Sequence, residues 1–136
     1  MLYLLFTLFL MPFRAETSVE FNNIQEAKGN LYIAVFDRKD AFLQADRAGV
    51  KKIIPVSGSG SIRVSLGVLP PGEYALSCFH DLNGNGKLDT NFLGIPDEPY
   101  GFSNNARPKF RAPNWAETVF RVDGSARFLQ VRLDSW

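Results

Sequence analysis

Asp81, Asn83, Asn85, Gly86 and Asp89 stand at relative positions 1, 3, 5, 6 and 9 of the segment DLNGNGKLD. At that spacing a short acidic loop can curl around one hard cation, because oxygen donors alternate along the chain and a glycine permits the sharp bend. With the main-chain carbonyl of Lys87, the predicted metal donors are Asp81, Asn83, Asn85, Lys87 and Asp89. Calcium is the expected ion, but it takes about six to eight oxygens. Position 12 holds Phe92 where a helix-loop-helix site has a bidentate Glu, so water, the second oxygen of Asp89, or Asp97 and Glu98 must supply the rest. Two carboxylates and two neutral amides predict weak affinity, on the order of 10⁻⁴ to 10⁻³ M, as in extracellular modules. The same residues also read as plain turn-formers, since Asn83-Gly84 and Asn85-Gly86 supply left-handed positions without any ion.

Other residue types in this region carry weaker chemistry. His80 is the one histidine and directly precedes Asp81, where it reads as a structural residue, a ligand or a general base. Cys78 lies two residues away on the same strand face, about 6 to 7 Å along the backbone. A nucleophile and its base need about 3 Å, so the spacing argues against a Cys-His enzyme, and no catalytic residue is assigned. A carboxylate pair for glycoside hydrolysis, Asp97 or Glu98 with Asp81 or Asp89, competes with a solvated acidic turn after Pro96. Tyr100, Phe102 and Trp115 suit stacking on a sugar or peptide, or anchoring of a long loop to the core. The ligand-binding candidates are His80, Tyr100, Phe102, Ser103 and Asn104.

The elements that must position these residues are strands. Residues 18–24 alternate, and Leu31, Ile33 and Val35 share one face of NLYIAVFD while Tyr32, Ala34 and Phe36 share the other, so this strand belongs at the middle of a sheet. Val50 to Val56 carries Lys51 and Lys52 and suits an edge. Ile62, Val64 and Leu66 point inward from the next strand, and Pro70-Pro71-Gly72 turns the chain into the strand 73–80 that feeds the acidic loop. Asp123-Gly124 predicts a hairpin joining 117–122 to 126–133. About seven strands without a long amphipathic helix predict an antiparallel sandwich, immunoglobulin-like or prealbumin-like. Between His80 and Trp115 no strand or helix pattern stands out, yet the apolar content predicts an ordered loop folded onto the sandwich.

At 136 residues the chain makes one domain. Lys and Arg number 15 against 14 Asp and Glu, with no basic cluster beyond Lys51-Lys52, which excludes an electrostatic nucleic-acid binder. The apolar run from Leu2 to Phe13 is shorter than the roughly 20 residues of a membrane span and predicts a secretion signal. Residues 1–15 are thus assigned to a signal peptide and 16–136 to the sandwich, secreted or periplasmic, with no stable membrane span after cleavage. An uncleaved anchor or a misplaced start are the competing accounts of that run. A single cysteine allows no internal disulfide, and Cys78 in EYALSCF reads as a small buried hydrophobe.

The stretch GEYALSCFHDLNGNGKLDTNFLGIPDEPYGFSNNARPKF resembles the signature of domain-of-unknown-function family 2141, small exported bacterial proteins. Strand-end His-Asp, Asn-Gly-Asn-Gly, Asp-Thr-Asn, Gly-x-Pro and Tyr-Gly-Phe-Ser-Asn-Asn carry the resemblance, which spans residues 29 to 133. His80, Asp81, Asn83, Asn85, Asp89, Asn91, Tyr100, Ser103 and Asn104 match its motif. The resemblance implies an exported β domain and brings no catalytic residues. The expected function is a non-enzymatic binding or structural module with a calcium-ordered loop and an exported or surface ligand, carbohydrate or protein. A carbohydrate-binding module using the loop aromatics and a hydrolase centred on His80 are the alternatives.

Overall fold

The computed structural model describes residues 15–136, so the apolar run assigned to a signal lies outside the described residues. Eight strands form among them: β1 (Thr17–Ile24), β2 (Asn30–Phe36), β3 (Val50–Pro55), β4 (Gly60–Ser65), β5 (Gly72–Asp81), β6 (Tyr100–Phe102), β7 (Phe120–Val122) and β8 (Arg127–Arg132). Beside three short 3-10 turns, one α-helix forms among them: α1 (Trp115–Thr118), a single turn capped by the Asn114 side chain, which accepts from the Glu117 N–H. No helix among the described residues is long and apolar enough to cross a membrane.

The strands form an all-β sandwich. One sheet runs β4-β1-β8, and the other runs β3-β2-β5-β6, with β7 beside the start of β5. Pairing is antiparallel except between β1 and β8. Phe21, Leu31, Leu76 and Val131 are wholly buried between the sheets. Burying each such side chain contributes about 1.5–3 kcal/mol. As the alternation predicts, β2 is central, β3 is an edge, and Val64 and Leu66 point inward.

Two expectations fail. No hairpin joins the last strands: β7 pairs with β5 in one sheet and β8 pairs with β1 in the other. The Asp123 carboxylate does cap the turn, accepting from the Ser125 N–H at 3.0 Å. A local turn reverses the chain but does not choose its partner. Val19 and Phe21 of β1 are fully buried, and β8 supplies the second neighbour that keeps β1 off an exposed edge. The segment before Trp115 is also not strand-free, because Tyr100–Phe102 pairs with Ser77–Phe79 as β6.

β6 is where the two sheets meet. The Tyr100 N–H donates to the Asp134 carbonyl at 3.0 Å, and the Asp134 N–H donates back at 3.1 Å. Between them Gly101 permits close approach: a Cβ there would lie 2.5 Å from the Arg132 carbonyl oxygen and 2.9 Å from a Val131 methyl. Gly101→Ala is therefore expected to destabilise the fold by about 1–3 kcal/mol through overpacking, read as a lower midpoint in urea unfolding with an unchanged slope.

Candidate functional site

The acidic loop leaves the end of β5 and closes on itself. The Asp81 carboxylate, fully buried, accepts from the Gly84 N–H at 3.1 Å and the Gly86 N–H at 2.8 Å. Asn83 and Asn85 each accept, through Oδ1, from the main-chain N–H two residues on, at 3.2 and 2.9 Å. These side-chain turns, with left-handed Gly84 and Gly86, wind the chain so that Asn83 and Asn85 reach one carboxylate. Both donate amide hydrogens to Asp89, at 2.5 and 2.7 Å. Asn83, Asn85 and Asp89 thus meet directly, and Asp81 joins them through the main chain of the turn.

Glu98 closes the far side of the loop. It is 4% exposed, and its carboxylate accepts from the Leu82 N–H at 2.6 Å and the Asp89 N–H at 3.1 Å. One buried side chain therefore ties both ends of the acidic turn to the segment that returns toward β6. Among the described residues no three His, Cys, Asp or Glu side chains gather at metal-site spacing. A cation here would depend on the Asn83 and Asn85 amide oxygens and the Lys87 carbonyl beside the carboxylates. Hard oxygens of these types are the kind calcium takes, but in this arrangement the Asn83 and Asn85 oxygens face main-chain N–H groups while their amide nitrogens face Asp89.

The remaining predicted residues separate. His80 is buried, and its Nε2–H donates to the Lys28 carbonyl at 2.7 Å, which ties β5 to the chain before β2. Cys78 is buried, and burial pushes its thiol pKa far up, which suits a packing role. Ser103 is buried, its hydroxyl accepting from the Leu76 N–H at 3.0 Å and donating to the Thr118 carbonyl at 2.5 Å. Asn104, at φ 60°, uses its amide to hold the Val119 carbonyl at 2.8 Å. Trp115 packs edge-on against Phe42, 6.0 Å between ring centroids, and anchors α1.

Tyr100 and Phe102 have a different setting. On β5 the inward residues Leu76, Cys78 and His80 alternate with outward Ser77 and Phe79, and β6 places Tyr100 and Phe102 beside the outward pair. These four floor a cleft of about 520 Å³ on the outer face of the five-stranded sheet. Leu88 and Leu93–Pro96 form one wall and Arg107, Pro108 and Phe110–Pro113 another, with Leu43 and Trp136 completing the lining. The size and apolar character are those of a small-molecule site. Leu88 lies between Lys87 and Asp89, so the acidic turn directly positions part of the wall.

Residues 19–129 match the family described as uncharacterized proteins conserved in bacteria, DUF2141. The chain belongs to that family. No curated protein and no solved structure matches the chain. For this DUF2141 chain the cleft was the part missed by sequence reasoning. The alternation of β5 marks Ser77 and Phe79 as outward, but Leu88, Arg107, Phe110 and Trp136 come from two loops and the C-terminal segment, and no spacing links them.

The Asn85 amide first, and the Asn83 amide next, hold the Asp89 carboxyl below its usual range by hydrogen bonding to the charged form. A depressed folded value means that the stabilisation is complete above the ordinary carboxylate pKa of about 3.9 and is lost as pH falls through the lower folded value. NMR titration should place the Asp89 midpoint below that of a free aspartate. Asn85→Ala should move it back up, more than Asn83→Ala does.

Proposed function

We propose that this chain is an exported, non-enzymatic binding module whose ligand occupies the aromatic cleft beside β5 and β6, with calcium ordering the Asp81–Asp89 turn that carries one wall. The observation that carries this is the shared segment: Leu88, which lines the cleft, sits between Lys87 and Asp89, and the lining residues Leu93–Pro96 follow on the same loop. Asp81, Asn83, Asn85, Asp89 and the Lys87 carbonyl would hold the ion, and its charge would offset the repulsion between the carboxylates. Asp81 and Glu98 orient the turn through its main-chain N–H groups.

The alternatives draw less support. Tyr100 and Phe102 meet at 72°, which is not the flat pair that a sugar ring stacks on, and Trp115 lies outside the cleft lining. His80 is buried against Lys28 and does not line the cleft, which leaves a hydrolase without an accessible base.

Thermal unfolding in EGTA and across millimolar calcium tests the cation. At about ten times its dissociation constant calcium should add about 1.4 kcal/mol of stability. The shift should vanish in Asp81→Asn and Asp89→Asn. An unchanged melting temperature for the wild type, with both variants still destabilised, would leave the turn held by hydrogen bonds alone and remove calcium from the proposal.

A further inference from the structure

Among the described residues, most of the large exposed hydrophobic side chains gather at one place, with Ile53, Val68 and Phe128 exposed elsewhere. Leu43, Leu88, Leu93, Phe110 and Trp136 are all large, exposed hydrophobics, and all five line the cleft. Phe92, 96% exposed, is the immediate neighbour of Leu93. Exposed apolar residues scattered singly carry no message, whereas a set gathered around one concavity marks a binding surface.

The charge of the lining is one-sided. Among the described residues that line it, Arg107 and Arg111 are the cations and there is no Asp or Glu. Arg111 is neutralised by Glu117, 2.8 Å away. Arg107 makes no ion pair among the described residues. Its guanidinium is nevertheless held in place, 4.2 Å over the Tyr100 ring. One of its nitrogens donates to the Tyr100 carbonyl at 2.5 Å and the Asp134 carbonyl at 3.2 Å. Those bonds use a single nitrogen and leave donors of the planar fork for a carboxylate. The floor adds the Ser77 hydroxyl and otherwise offers aromatic faces.

We infer that the cleft takes a free single-chain anionic amphiphile, a fatty-acid-like carboxylate whose hydrocarbon body lies over Phe79, Tyr100 and Phe102 and whose carboxylate meets Arg107. This rests on the cleft being the binding site proposed above, and adds the class of its ligand. A concave apolar site with one prepositioned, uncompensated cation matches that chemistry at both ends. A bilayer surface would cover the exposed rim but leave the cleft unfilled, and a sugar would find few polar partners inside it.

Calorimetric titration of the full chain with dodecanoate and with dodecanol, each below its micellar or solubility limit, tests the assignment. Displacement of the neutral dye N-phenyl-1-naphthylamine reports occupation of the cleft. Dodecanoate should bind at least about tenfold more tightly than dodecanol, as a charge-assisted hydrogen bond predicts. Arg107→Gln should abolish that difference by weakening dodecanoate alone, and Arg107→Lys should restore most of it. A merely structural Arg107 would weaken both ligands together. Leu93→Glu, at an exposed position that the fold tolerates, should also weaken dodecanoate more than dodecanol.

Equal binding of the acid and the alcohol, with the dye still displaced, would overturn the anionic assignment while the cleft remains a binding site. Failure of dye, acid and alcohol alike would overturn the cleft and this inference together. Sedimentation with phosphatidylglycerol-containing vesicles without any binding of free dodecanoate would overturn it in favour of a membrane surface.

Discussion

Strand β5 has apolar or aromatic residues on both of its faces, and water must be kept from each. Leu76, Cys78 and His80 enter the space between the sheets, where the β4-β1-β8 layer covers them. Ser77 and Phe79 face the other way, and among the described residues no third sheet lies there. Tyr32 stacks on Phe79 with centroids 5.0 Å apart and rings nearly parallel. β6 extends the row with Tyr100, and residues between Asp81 and Trp115 fold back over the remainder. The long connection is thus a partial second cover, and the gap it leaves is the cleft.

Covering a sheet with irregular chain raises the problem of its own polar groups, since a loop lacks a ladder to satisfy them. Here side chains replace the ladder. Asp81, Asn83, Asn85 and Asn91 each accept main-chain N–H groups a few residues ahead, and Glu98 accepts two from opposite ends of the acidic turn. The acidic and amide residues that suggest a metal site are therefore structural acceptors first. The turn is thus held by hydrogen bonds, and a cation bound to the same oxygens, as proposed, would only reinforce it.

The same division of labour appears at the residues of the Tyr-Gly-Phe-Ser-Asn-Asn stretch. Gly101 allows β6 to approach Val131 and Arg132, Ser103 satisfies groups on Leu76 and Thr118, and Asn104 and Asn105 hold main-chain partners on neighbouring elements. Only Tyr100 and Phe102 turn toward the cleft. A run of residues that looks like one site is a joint in the sandwich with two aromatic side chains left facing the cleft.

Period-two alternation, turn chemistry and composition in the sequence alone determined the all-β class, the central place of β2, the edge place of β3, the burial of Cys78 and the closed acidic turn. These depend on local spacing, and spacing is written in the chain. The tertiary structure decided which edges pair: Asp123-Gly124 made its turn, yet the parallel β1–β8 contact, which pairs the second edge of β1, outweighed the hairpin. It also decided that His80 and Ser103 face inward and that Arg107, Leu88, Phe110 and Trp136 converge. Convergence across dozens of residues follows from how a loop drapes over one sheet face, a property of packing that no short motif encodes.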